Sequence, residues 1–141
     1  KGCLKEWIDE KKRKNEIILL DGSFSYELKK AVDFEDHPGW TAYANFSSPE
    51  EVQRVHETYI HIGCDMITTN TYHHSIDLLS PLYGQQVVRE QFKNAVDTAH
   101  RARSALQKEG NVKILMSIGS YATKLRDGSE YTGAYEVTED P

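Results

Sequence analysis

The chain has 141 residues, 38% of them hydrophobic and 28% charged, and a formal net charge of −5. That is the size of one ordinary domain, with enough apolar residues to bury a core. The acidic balance argues against nucleic acid or an anionic membrane as partner, and no apolar run is long enough to span a bilayer. The first strand-like run is Ile17-Ile18-Leu19-Leu20, which leads into Asp21-Gly22. Ser48-Pro49-Glu50-Glu51 then reads as a helix start, with Ser48 as cap, Pro49 at the first helical position and Glu51 placed for a capping box. Val52, Val55, Tyr59 and Ile62 follow at helical spacing, and Gly63 is the stop. A second strand opens at Met66-Ile67 and carries the polar tail Thr68-Thr69-Asn70-Thr71-Tyr72. The longest helical pattern runs from about Gln85 to Lys108, with Val88, Phe92, Ala95, Val96, Ala99, Ala102 and Leu106 as its apolar stripe and Gly110 as its end. Val112 to Ile118 is the third strand-like run and leads into Gly119-Ser120.

Strand, helix, strand, helix, strand is the order of an α/β unit with a parallel sheet. The runs are apolar without clean alternation, which suits strands buried on both faces. Long segments follow each strand, from Phe34 to Ser47, His73 to Gly84 and Tyr121 to Pro141, at the end where function concentrates in such folds. No helical pattern follows the third strand, so the chain is expected to form the first three strands of a larger parallel structure. Its first residue is Lys1 rather than Met, which fits an excerpt.

Asp21 closes the first strand, where its carboxylate could hold an ammonium group, and Gly22 would let a ligand approach the backbone. The other reading is a turn in which Asp21 caps local amides. Thr68 to Tyr72 either line a ligand or combine β-propensity with loop hydrogen bonding; alternation would send half of them toward the ligand and half toward the covering helices. His73-His74 has no supporting metal motif, and neighbours on an extended chain diverge. Cys3 and Cys64 form no CxxC, which fits a reducing, cytoplasmic setting.

Four blocks in order resemble the homocysteine S-methyltransferase family: Leu19-Leu20-Asp21-Gly22-Ser23 through Glu27-Leu28, Trp40-Thr41-Ala42 followed by Ser48-Pro49-Glu50-Glu51-Val52, Gly63 through Tyr72, and Asp127-Gly128-Ser129-Glu130-Tyr131-Thr132-Gly133. The resemblance implies that residues 1–141 are the amino-terminal part of a homocysteine-binding (β/α)8 barrel of the TIM type, the βαβαβ portion with about three strands. It implies zinc-dependent transfer of a methyl group to the homocysteine sulfur, to give methionine, from a donor such as S-methylmethionine or betaine. By that resemblance Asp21 falls at a position that helps hold the homocysteine amino group, Gly22 at one that lines the site, and Thr69 and His73 at positions near the methyl donor. The family's zinc-binding cysteines lie in later strands, so this chain by itself is expected neither to hold the zinc nor to turn over. Ser23 replaces a family glycine, and Gly119-Ser120-Tyr121 lacks a family proline. These departures favour a second reading, a non-catalytic binding or assembly module that draws its remaining strands from another chain and is therefore an oligomer.

Overall fold

The computed structural model describes residues 3–136. Helix α1 spans Leu4–Arg13, and α2 is the short turn Phe24–Leu28. A 3-10 turn at Trp40–Tyr43 passes directly into α3, Ala44–Ser47. The helix α4 (Pro49–Ile62), strand β1 (Met66–Thr68), helices α5 (Ile76–Tyr83) and α6 (Gln85–Ala105), and strand β2 (Lys113–Leu115) follow. A second 3-10 turn, Tyr121–Lys124, and a single helical turn α7, Ser129–Thr132, complete the described chain.

β1 and β2 pair in parallel, with Ile67 opposite Ile114. The expected first strand is reduced to one parallel bridge, Leu20 to Met66. Its contacts are the Asp65 and Met66 amides donating to the Leu19 carbonyl and the Asp21 amide donating to the Met66 carbonyl. The order along the sheet is thus first run, β1, β2, as the sequence pattern requires. Burial on both faces is not found: Ile17 is 87% exposed and Ile118 74%, with Leu19, Leu20 and Met116 also exposed. The reason is geometric, because among the described residues no strand pairs with the outer side of either flanking run, and a ladder on one side alone holds only a few residues extended.

The two long helices lie where the apolar stripes put them. In α4, Val52, Val55, His56 and Ile60 are buried, and Gly63 ends the helix in the left-handed conformation. Ile62 is exposed, because α6 packs on the flank that carries Ile60. The Ser48 hydroxyl makes no cap bond, and Glu51 pairs with Arg54 instead of closing a capping box. Helix α6 stops at Ala105, short of Gly110, with Gln107 in the left-handed seat and the Lys108 amide returning to the Arg103 carbonyl. The segment 73–84, expected as loop, is mostly α5: Ser75 caps it through the Leu78 amide, Leu79 is fully buried, and Pro81 is tolerated near its end.

Three apolar clusters hold these pieces. Leu28, Phe34, Val52 and Val55 join α2 to α4, and Ile60, Ile67, Ala99 and Val112 join α4, β1 and α6. Ala42, Leu79 and Val88 join the 3-10 turn, α5 and α6. Cys64 sits inside the second cluster at 5% exposure, as a small packing residue.

Candidate functional site

The carboxyl ends of the parallel strands are built by side chains rather than by ladder bonds. Asp21 Oδ2 accepts the Thr68 amide at 2.7 Å and the Thr68 hydroxyl at 3.0 Å. The bond crosses to the neighbouring strand, so it is not the local amide capping of the second reading. Oδ1 keeps only a 3.3 Å contact with the same hydroxyl and retains capacity for a further donor. Burial pushes the Asp21 carboxyl up, and the Thr68 donors pull it back. Gly22 packs against Tyr59, whose hydroxyl donates to the Ser23 carbonyl; a Cβ on Gly22 would lie 3.1 Å from that phenol oxygen. Ser23, the departure from the family pattern, caps α2 by accepting the Tyr26 amide.

Thr69 and Thr71 are buried and face β2. The Ser117 amide donates to Thr69 Oγ1 at 3.1 Å, and the Thr71 hydroxyl donates to the Ser117 carbonyl at 2.6 Å. The 2.7 Å contact between the two hydroxyls must then run from Thr69 to Thr71, which closes a ring of hydrogen bonds. This ring continues the sheet where the backbone ladder stops, so the Thr69 hydroxyl is committed to the protein. Replacing Thr71 by valine should cost about 2 kcal/mol, because it strands the Ser117 carbonyl and the Thr69 proton. Urea denaturation should report this as a lower midpoint with an unchanged slope.

Thr68 and Asn70 point the other way, and Asn70 meets α3. Its side-chain amide donates to the Thr41 carbonyl and to Asn45 Oδ1, while the Asn45 amide donates to the Asn70 carbonyl and to His74 Nδ1. His74 Nε2 lies 2.9 Å from the Val88 carbonyl and must donate to it, so the ring is neutral. This buried polar network was not legible in the sequence, because its members come from three separate segments.

His73 diverges from His74 and enters a cleft of about 190 Å³ lined by Pro38, Trp40, Leu78, Arg126, Glu130 and Tyr131, among others. The Trp40 ring meets His73 edge-on at 4.8 Å, and its own backbone is held at φ +43. Left-handed tryptophan costs roughly 1–2 kcal/mol, and such seats cluster at ligand sites. Glu130 Oε2 is buried without a hydrogen-bond partner. Burial pulls the His73 imidazole down and the Glu130 carboxylate pulls it back up. The cleft therefore offers an aromatic wall, an imidazole and a carboxylate oxygen with nothing to accept from. Trp40 and Glu130 stand in two of the four motif blocks, which was the signal available for them. A larger hollow of about 490 Å³ is lined by Tyr72, Asp77, Phe92, Met116 and Ile118, among others.

The described residues do not fit a catalytic metal. No group of three or more His, Cys, Asp or Glu among them is placed to hold an ion. Cys3 is exposed, and the Cys64 thiol is buried, raised by that burial, and turned toward the Leu20 carbonyl. No helix among the described residues is long and apolar enough to cross a membrane.

Parallel strands joined by helices, with a polar, partly aromatic cleft beyond their carboxyl ends, define a mixed α/β protein. Residues 18–141 match the family profile described as homocysteine S-methyltransferase, and the chain belongs to that family. Homocysteine S-methyltransferase 1 of Brassica oleracea var. italica is 30% identical over 127 residues, 83% of this chain and 39% of that protein. Betaine-homocysteine S-methyltransferase of Drosophila melanogaster is 33% identical over 132 residues, 84% of this chain and 39% of its own length. The metallated form of the homocysteine methyltransferase MmuM from Escherichia coli superposes with a TM-score of 0.80 at 27% identity, over 96% of this chain and 47% of that one. The chain thus spans less than half the length of these relatives.

Proposed function

We propose that this chain is the substrate-positioning part of a homocysteine S-methyltransferase, the first strands of a (β/α)8 barrel, and that its cleft receives a cationic methyl donor. The observation that carries this reading is the unpartnered, buried Glu130 oxygen in the cleft that Trp40 and His73 line. A sulfonium or quaternary ammonium group cannot donate a conventional hydrogen bond. It is recognised by charge and by the face of an aromatic ring, worth about 2 kcal/mol once desolvated. Asp21, at the neighbouring strand end, has one oxygen left to accept from the ammonium group of an amino acid such as homocysteine. Family membership supports both assignments, and the match to a structure described as metallated supports a metal in the complete enzyme.

In the transfer reaction the homocysteine sulfur forms a bond to the methyl carbon while the bond from that carbon to the donor's sulfur or nitrogen breaks. The donor leaves neutral, and the thiol proton is lost to a base. The residues of this chain would hold the two substrates in line and exclude water, a contribution worth several kcal/mol of barrier. The thiol-activating metal is assigned to residues other than those described. The 141-residue chain, purified with zinc supplied and assayed with homocysteine and labelled S-methylmethionine or betaine, should carry no stoichiometric zinc and transfer no label. Stoichiometric zinc with turnover would refute this division of labour.

A further inference from the structure

The residue that holds Trp40 in its left-handed seat is not itself in the cleft. His37 lies three residues earlier and forms the corner of the turn. The Gly39 amide donates to His37 Nδ1 at 3.0 Å, and the Trp40 amide donates to the His37 carbonyl at 2.8 Å. Because Nδ1 accepts, the ring proton is on Nε2, which lies 2.8 Å from the Tyr83 hydroxyl and donates to it. Tyr43 stacks on the same imidazole at 4.3 Å. The ring is thus clamped between α5 and the 3-10 turn, and the clamp depends on Nδ1 carrying no proton. We infer that His37 is a positioning residue for Trp40, that its neutral imidazole holds the indole against the cleft, and that protonation of His37 releases it.

A second proton would place an N–H on Nδ1 facing the Gly39 N–H, two donors with no acceptor between them. The turn then loses the bond that fixes it, and a tryptophan at φ +43 has a backbone preference for leaving that conformation. The groups that face the imidazole are Tyr43 from the 3-10 turn, Tyr83 from α5 and Arg126 from the loop before α7; Asp33 and Asp36, on its own loop, line the same open hollow as His37. The stacked Tyr43 ring favours the cation. Burial and the Arg126 charge oppose it, and they prevail, so His37 titrates below its ordinary range.

The inference deepens the reading of Trp40 as the donor's wall and rests on it only for its consequence, weaker donor binding in acid. The test is therefore independent of any donor. In a Trp7→Phe background Trp40 is the remaining tryptophan of the chain. Its emission, followed from pH 7.5 to 5, should move to the red in one transition with a midpoint below 6.5. His37→Asn should abolish that transition and keep the neutral-pH emission, since an asparagine oxygen accepts from the amide two residues on and does not titrate in this range. His37→Ala should show the released emission at every pH. A flat wild-type profile would overturn the inference, and so would a transition that persists in His37→Asn, which would belong to His73 instead. If the transition behaves as stated but Trp40→Leu leaves donor affinity unchanged, His37 still positions Trp40 and the cleft reading alone fails.

Discussion

Gly119→Ala should be among the most damaging single substitutions in this chain, lowering stability by about 3 kcal/mol and the melting temperature by roughly 10 °C. A Cβ at this position would stand 2.1 Å from the Tyr72 carbonyl oxygen, with the Thr123 hydroxyl at 3.0 Å on its other side. The first contact is backbone, so no rotamer change relieves it. Segment 117–120 would have to lift from the end of β1, and lifting it pulls Ser117 out of the hydroxyl ring made with Thr69 and Thr71. The expected cost therefore includes hydrogen bonds as well as overlap. Thermal unfolding of the variant beside Thr71→Val distinguishes the two contributions. Equal losses would mean that only the ring matters, and a larger loss in Gly119→Ala is the result expected from direct overlap.

Acid should destabilise the chain well above the range in which carboxylates titrate, and His56 should be the main cause. Its side chain is fully buried against Phe24, with both ring nitrogens unpaired, and burial alone pulls its pKa down to about 4. The unfolded chain binds the proton near the ordinary value of about 6.5, whereas the folded one does not. Stability is therefore at its full value above pH 6.5, and on the order of 3 kcal/mol is lost between there and pH 4. His37, His73 and His74 are lowered as well and add to the same slope. Asp21, raised by burial, acts in the opposite sense, because its protonation favours the folded form as pH falls. His56→Leu keeps the volume and removes the titration. Urea midpoints measured from pH 7 to 4.5 should fall much less in that variant than in the wild type, and parallel curves would show that His56 is not the source.

The parts of the fold that were legible are those whose periodicity is long. Both stripes of 14 and 21 residues, α4 and α6, stood out because several turns repeat the same apolar face. The second and third strands were located correctly but read as too long, and the first is only a bridge at Leu20, since an apolar run such as Val112 to Ile118 does not reveal that only Lys113–Leu115 finds a partner. Helix α5 was hidden by Pro81, a residue that argues against helix unless it falls near an end. At the site, composition pointed to Thr68 through Tyr72, yet the structure gives most of those groups to the protein itself. Thr69 and Thr71 extend the sheet, and Asn70 locks α3. The cleft is formed instead by Trp40, His73 and Glu130, contributed by three segments far apart in the chain. Nothing local marks Glu130, a glutamate on a single helical turn, as the group left without a partner. Only the packed structure shows its oxygen buried and unsatisfied.

The most direct measurement is a calorimetric titration of S-methylmethionine into the 141-residue chain at pH 7.5, repeated with Glu130→Gln and Trp40→Leu. The expected result is saturable binding at one site, weakened roughly 10- to 100-fold by Glu130→Gln through loss of a buried charge interaction and weakened again by Trp40→Leu. Binding that is indifferent to both substitutions, or the absence of binding to a folded chain, would contradict the assignment of this cleft to the methyl donor.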